Sequence, residues 1–175
     1  MEPAKILLTG LPGCGKTTAV MKIVRELETN KAGGFYTREI RQDNKRKGFE
    51  WMTLQGEIGV LAHIKIKSRF KVGRYGVDVA GFEKDVVPLL AAGDSDSEFY
   101  VIDEIGKMEC FSEHFVNAVR SLFESDKAVL ATVAQKGSGF IGEVKKYPDI
   151  KLFNLNRENF ERTTSEVLEL LRGEQ

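Results

Sequence analysis

The chain has 175 residues, 42% of them hydrophobic, a length suited to one compact domain (1–175) with a continuous core. Its 26 basic and 26 acidic residues cancel, which excludes a global electrostatic pull toward nucleic acid or an anionic membrane, so a nucleic-acid partner is open but not indicated. Two distant cysteines, Cys14 and Cys110, in no CxxC pair, indicate neither a disulfide framework nor a zinc cluster, and no apolar stretch approaches ~20 residues, so a cytoplasmic protein with no membrane partner is expected.

In chain order, KILLT from Lys5 to Thr9 is a short apolar run, followed by helical spacing at Val20, Ile23, Val24 and Leu27. From Gly34 to His63 the pattern is strand-like: FYTREI and FEWMTL flank a polar QDNKRKG turn, and GEIGVLAHI follows Gln55 and Gly56. A small antiparallel β insertion over about residues 34–63 is therefore expected. The glycine-punctuated stretch from Gly73 to Val79 reads as loop, and Phe82, Val86, Leu89 and Leu90 recur at helical intervals until the polar DSDSE stretch ends that helix. Phe99 to Ile102 is a fully apolar strand, and Ser112 caps a helix carrying Phe115, Val119, Leu122 and Phe123. Ala128 to Val133 and Ile150 to Leu155 are further strands, and a last helix starts at Asn156 with Phe160, Val167, Leu168 and Leu171 inward. Apolar strands alternating with amphipathic helices predict an α/β three-layer sandwich, its sheet mostly parallel and covered on both faces.

Between the first strand and helix lies Gly10-Leu11-Pro12-Gly13-Cys14-Gly15-Lys16-Thr17, which fits the phosphate-loop pattern GxxxxGK[ST] in its required context. Glycines 10, 13 and 15 leave room for loop N–H groups to face phosphate oxygens, and the helix N-terminus adds partial positive charge. Lys16 reaches the β- and γ-phosphates of a nucleoside triphosphate, the Thr17 hydroxyl ligates Mg²⁺, and Thr18 supports the α-phosphate. The second element is Asp103-Glu104 after four apolar residues, at the strand edge where open α/β sheets bind ligands. Asp103 then holds the metal through its water shell, and Glu104 orients or deprotonates the attacking water.

The run Asp103-Glu104-Ile105-Gly106-Lys107-Met108-Glu109, with Gly10 to Thr18 and the Arg74-Tyr75-Gly76-Val77 segment, closely resembles the THEP1 family of nucleoside-triphosphatases over nearly the whole chain. The resemblance implies a P-loop NTPase fold with a RecA-like sheet, a strand lying between the P-loop and Walker B strands, and Mg²⁺-dependent hydrolysis of ATP, GTP, CTP and UTP. It implies that the site runs from Gly10 to Thr18 and from Ile102 to Glu109, with Lys16, Glu104 and Lys107 catalytic and Thr17 and Asp103 on the metal.

Other residues leave alternatives open. Lys107 is either a cation toward the transferred phosphate or a solvated loop lysine. Arg74 and Tyr75 meet phosphate and base or anchor a loop; Thr132 senses the γ-phosphate or merely ends a strand; Asn156 and Arg157 line a base pocket or cap a helix. Cys14 is an oxidisable thiol in the loop or a small filler, and His63 and His114 lack a partner at metal-ligand spacing. The basic cluster Arg38, Arg41, Lys45, Arg46 and Lys47 is interrupted by Glu39 and Asp43 and reads by default as a solvated hairpin. Hydrolysis by a monomer is the first functional reading. A phosphotransferase is the second, because the candidate lid from Ala134 to Pro148 carries Lys136, Lys145 and Lys146 but no arginine; a nucleotide-gated binding switch is the third.

Overall fold

The computed structural model describes residues 3–91 and 96–173. Five strands form the parallel part of a single sheet: β1 (Lys5–Thr9), β2 (Ala32–Gln42), β7 (Phe99–Ile105), β8 (Ala128–Val133) and β9 (Ile150–Asn154). Four more, β3 (Lys45–Thr53), β4 (Ile58–His63), β5 (Lys71–Val72) and β6 (Tyr75–Val77), continue it antiparallel, giving the order β5-β6-β4-β3-β2-β7-β8-β1-β9. Strand β8 lies between the P-loop strand β1 and the acidic strand β7, as the family likeness implied. The peptide between Asp103 and Glu104 is cis.

Alternation along β1 divides the core. Ile6 and Leu8 face one layer with Val20 and Ile23 of α1 (Lys16–Leu27) and Val167 of α5 (Phe160–Arg172). Leu7 faces the other, with Phe35, Phe82 of α2 (Val79–Asp85) and Phe115 of α3 (Glu113–Glu124). The last three rings meet at centroid distances of 5.4 to 6.1 Å, an aromatic knot that pins the root of β2 onto both helices. Ser112 caps α3 as expected, accepting from the Phe115 N–H at 3.0 Å while donating to Glu83 at 2.7 Å. Lys5 spends its buried ammonium on the far end of α3, donating to the carbonyls of Leu122 at 2.7 Å, Ser125 at 2.9 Å and Lys127.

Four local expectations need correction. The polar turn expected over QDNKRKG is only the pair Asp43 and Asn44, at φ 51° and 55°, because this two-residue geometry matches strand twist and lets pairing run to Gln42 and Lys45. The stretch from Gly73 is not loop: β5 and β6 pair as a hairpin, and Tyr75, Gly76 and Val77 are buried against β4. The final helix begins at Phe160, since Asn156 and Asn159 instead exchange backbone-to-side-chain hydrogen bonds of 2.8 and 2.9 Å in the preceding turn. The helical spacing from Phe82 is split into α2 and a 3₁₀ turn over Val87–Leu90, and the first two residues of DSDSE lie outside the described residues.

Candidate functional site

Glycines 13 and 15 take φ values of 78° and 101°, left-handed conformations that a side chain would strain, and so turn the loop's N–H groups inward. Gly15 offers α1 no side-chain cap, leaving the first N–H donors of that helix and the positive end of its dipole directed at the loop. Lys16 opens α1 with its ammonium 3.0 Å from the Gly10 carbonyl and 3.6 Å from Glu104 Oε2.

Asp103 is 1% exposed, and both of its oxygens are engaged: Thr17 donates to Oδ2 and Thr132 to Oδ1, each at 2.6 Å. Burial lifts its pKa from 3.8 to about 6, against the lowering effect of the two hydroxyl donors. Thr132 is fully buried behind this carboxylate, which makes it a support for Asp103 rather than a γ-phosphate sensor. Glu104, next along the strand, is partly exposed and faces outward.

These groups border a cavity of about 740 Å³. The phosphate loop from Gly10 to Thr18, Cys14 excepted, forms its floor; Asp103 and Glu104 form one edge; Ala134, Gln135 and Lys136 close another. The fourth side comes from the β2–β3 hairpin, through Thr37, Arg38, Glu39, Arg46 and Phe49. Cys14 opens instead into a neighbouring cavity of about 420 Å³ with Asn154, Leu155, Asn156 and Arg157, on the far side of Leu11 and Pro12.

Of the acidic run, only some members reach the site. Ile102 and Ile105 are fully buried in the core, so their side chains hold the strand and only their backbone is left to meet a ligand. Gly106 allows two carboxylates to converge: a Cβ there would lie 2.9 Å from Glu104 Oε1 and 3.0 Å from Glu109 Oε2. Glu109 is buried, and burial followed by the Glu104 charge raises its pKa well above the usual carboxylate range. Lys107 is exposed and lies off the main cavity, lining with Met108 and Glu109 a smaller chamber beyond Glu104. From the candidate lid, which contains α4 (Phe140–Val144), Lys145 donates to the Gln135 carbonyl at 2.8 Å.

The hairpin contributes a residue that alternation alone hides. Arg46 and Phe49 differ by three positions and would fall on opposite faces of a regular strand. The register shifts between Ile40 and Arg41, pairing Ile40 with Gly48 but Arg41 with Arg46; the extra residue, Lys47, is a bulge that swings Arg46 onto the face of Glu39 and Phe49. There Arg46 is gripped: Nε donates to Tyr75 Oη at 3.0 Å, Nη1 to Glu39 at 3.1 Å, and the guanidinium stacks 5.1 Å from the Phe49 ring and 5.5 Å from that of Tyr75. Arg74 donates to the Arg46 carbonyl at 2.7 Å, so Arg74 and Tyr75 serve as anchors. Two more members of the basic cluster are paired at the surface, Arg38 with Glu50 and Arg41 with Glu39. His63 accepts from the Lys65 N–H at 3.1 Å, and among the described residues no group of three or more His, Cys, Asp or Glu could hold a metal ion. No helix among them is long and apolar enough to cross a membrane.

Comparison with known proteins agrees with this geometry. A family model described as NTPase matches residues 5–168. The nucleoside-triphosphatase THEP1 of Thermotoga sp. (strain RQ2) is 41% identical over 168 residues, covering 96% of this chain and 95% of the relative. The crystal structure of THEP1 from the hyperthermophile Aquifex aeolicus matches with a TM-score of 0.85 at 36% identity, over 95% of this chain and 98% of that one. The solution structure of a human cancer-related nucleoside triphosphatase matches with a TM-score of 0.82 at 34% identity, over 98% and 99% of the two chains.

Proposed function

The chain belongs to the NTPase family that includes the THEP1 nucleoside-triphosphatases, and from that footing we propose that it is an Mg²⁺-dependent phosphohydrolase cleaving ATP, GTP and other nucleoside triphosphates to the diphosphate and phosphate. The observation that carries this reading is the meeting of loop and strand edge: Thr17 lies 2.6 Å from Asp103 while Lys16 lies 3.6 Å from Glu104, in one cavity.

The loop N–H groups and the start of α1 cradle the polyphosphate, and Lys16 exchanges its contact with Glu104 for the β- and γ-phosphate oxygens. Thr17 and Asp103 are hard oxygen donors that fit Mg²⁺, which when bound supplies charge neutralisation across those oxygens. Thr132, donating to the other oxygen of Asp103, fixes the direction in which that carboxylate points. Glu104 orients the attacking water and accepts its proton. Arg46, preorganised by Glu39, Tyr75 and Phe49, is the second cation at the γ-phosphate, a role for which the lid offers only lysines. The nucleoside lodges in the cavity of Cys14, Asn154, Asn156 and Arg157.

Glu104→Gln tests the assignment because it keeps size and hydrogen bonding but removes the base. Single-turnover hydrolysis should slow by ~10²-fold or more while equilibrium binding of nucleotide is retained. Hydrolysis at the wild-type rate would remove Glu104 from the mechanism.

A further inference from the structure

Beyond Glu104 the site does not end. The smaller chamber, of about 250 Å³, shares Thr37, Phe49, Glu104, Ala134 and Lys136 with the phosphate cavity. The cavity assigned to the nucleoside shares Leu11, Pro12, Gly13 and Gln135 with that same central cavity and no residue with the chamber. The three spaces therefore lie in sequence: nucleoside, phosphates, chamber. Glu104 stands at the second boundary, with one oxygen 3.6 Å from Lys16 and the chamber on its other side.

A hydrolase needs room there for one water, about 30 Å³, and the chamber is roughly eight times larger. Its walls are also wrong for water alone. Phe49, Leu61, Val72, Met108 and Ala134 present apolar surface, which rewards an organic body. Polar groups are confined to Thr37, Glu104 and Glu109 and to two exposed lysines, Lys107 and Lys136, which make the rim positive.

We propose that this chamber is an acceptor site for a ring-sized alcohol bearing an anionic substituent, and that the protein transfers the γ-phosphoryl group to it in competition with water. The proposal rests on the nucleotide assignment above. The ring fills the apolar walls, the anionic group meets Lys107 and Lys136, and the hydroxyl lies against Glu104. The Glu104 carboxylate takes the hydroxyl proton as the acceptor oxygen bonds to the γ-phosphorus. The bond from that phosphorus to the β–γ bridging oxygen breaks, and the nucleoside diphosphate leaves with the electron pair. The products are a phosphate monoester, the diphosphate and one proton.

The test uses the full chain with MgATP and millimolar 4-(hydroxymethyl)benzoate, measuring ADP and inorganic phosphate together. Without acceptor the ratio of ADP to phosphate should be one. With acceptor it should rise above one, with the ester visible by ³¹P NMR. Val72→Phe, which fills the chamber from β5 without lining the phosphate cavity, should bring the ratio back to one. A ratio of one at every acceptor concentration in a wild-type protein that still hydrolyses ATP overturns the proposal, and this arm does not depend on the variant folding. A ratio above one that Val72→Phe leaves unchanged in a folded variant overturns the chamber as the site. Absence of ADP under all conditions marks a failure of the nucleotide assignment instead.

Discussion

Replacing Asp103 with asparagine should stabilise the protein while disabling it. The carboxylate is 1% exposed, and burial raises its pKa from 3.8 to about 6, so the folded state binds this proton more tightly than the unfolded chain does. That preference is fully present below about pH 4 and is lost as the pH rises through about 6; above that, the fold carries an ionised group it would rather hold neutral. Two decades of proton affinity at about 1.4 kcal/mol each make the deficit roughly 3 kcal/mol. Asparagine is neutral throughout, nearly isosteric, and able to bond both Thr17 and Thr132. In EDTA at pH 8, Asp103→Asn should therefore melt higher, by roughly 6 to 12 °C for a chain of this size. The advantage should shrink as the pH falls and vanish near pH 4. Thermal melts of the two proteins from pH 4 to 8 give the comparison; carboxylates remote from Asp103 cancel because both chains carry them, and Glu109, whose pKa the Asp103 charge helps to raise, adds to the difference in the same direction. A variant that melts at or below wild type at pH 8, with a difference flat in pH, would refute the argument from burial. Under MgATP the order should reverse, because wild type gains binding energy that the variant has lost.

Thr17→Ala should raise the Mg²⁺ concentration needed for half-maximal hydrolysis, and a superimposable titration curve would remove the hydroxyl from the metal site. Arg46→Ala should lower kcat on the order of 10²-fold with a much smaller change in KM, whereas Arg46→Lys, which keeps charge but not the fork, should fall between. A lowered melting temperature with an unchanged kcat would leave Arg46 a tie for the hairpin and nothing more. Gly106→Ala should leave the fold standing, since only the ends of two flexible side chains are in the way, yet displace Glu104; turnover should drop while nucleotide affinity holds.

The strand, glycine turn and helix around Lys16 were legible because each is decided by residues close in sequence, and the carboxylates at the end of Phe99 to Ile102 because a four-residue apolar run can only be a buried strand in this context. Arg46 was not. Its place in the cavity needs a bulge at Lys47, and a bulge is a matter of register between two strands, which local pattern does not fix even where it finds both. The hairpin of Tyr75 is hidden for a similar reason: β5 has two residues and β6 three, too short for alternation to register, and they exist because β4 offers them an edge. The run from Ile102 to Glu109 brings Asp103 and Glu104 beside the phosphate loop. Simple alternation does not tell which of its side chains face the cavity, because the pairing of β7 with β8 shifts register between Ile102 and Ile105 and leaves both isoleucines buried in the same layer of the core.

The bulge also divides the hairpin into regions of very different tolerance to changes in length. At its tip, Asp43 and Asn44 are exposed and stand outside the strand ladder, Asn44 accepting a hydrogen bond from Arg41 through its carbonyl, so a reporter peptide or a fused domain could be grafted between them without altering which face any downstream residue occupies. Removing Lys47 would restore a regular ladder with Arg46 two residues from Phe49, on the same face and still toward the phosphates, whereas removing one residue from the regularly paired stretch between Phe49 and Thr53 would turn every residue on one side of the loss over. Deletion libraries should accordingly find the loss of Lys47 tolerated and a one-residue loss from Glu50 to Met52 not, a contrast that a substitution scan would never reveal.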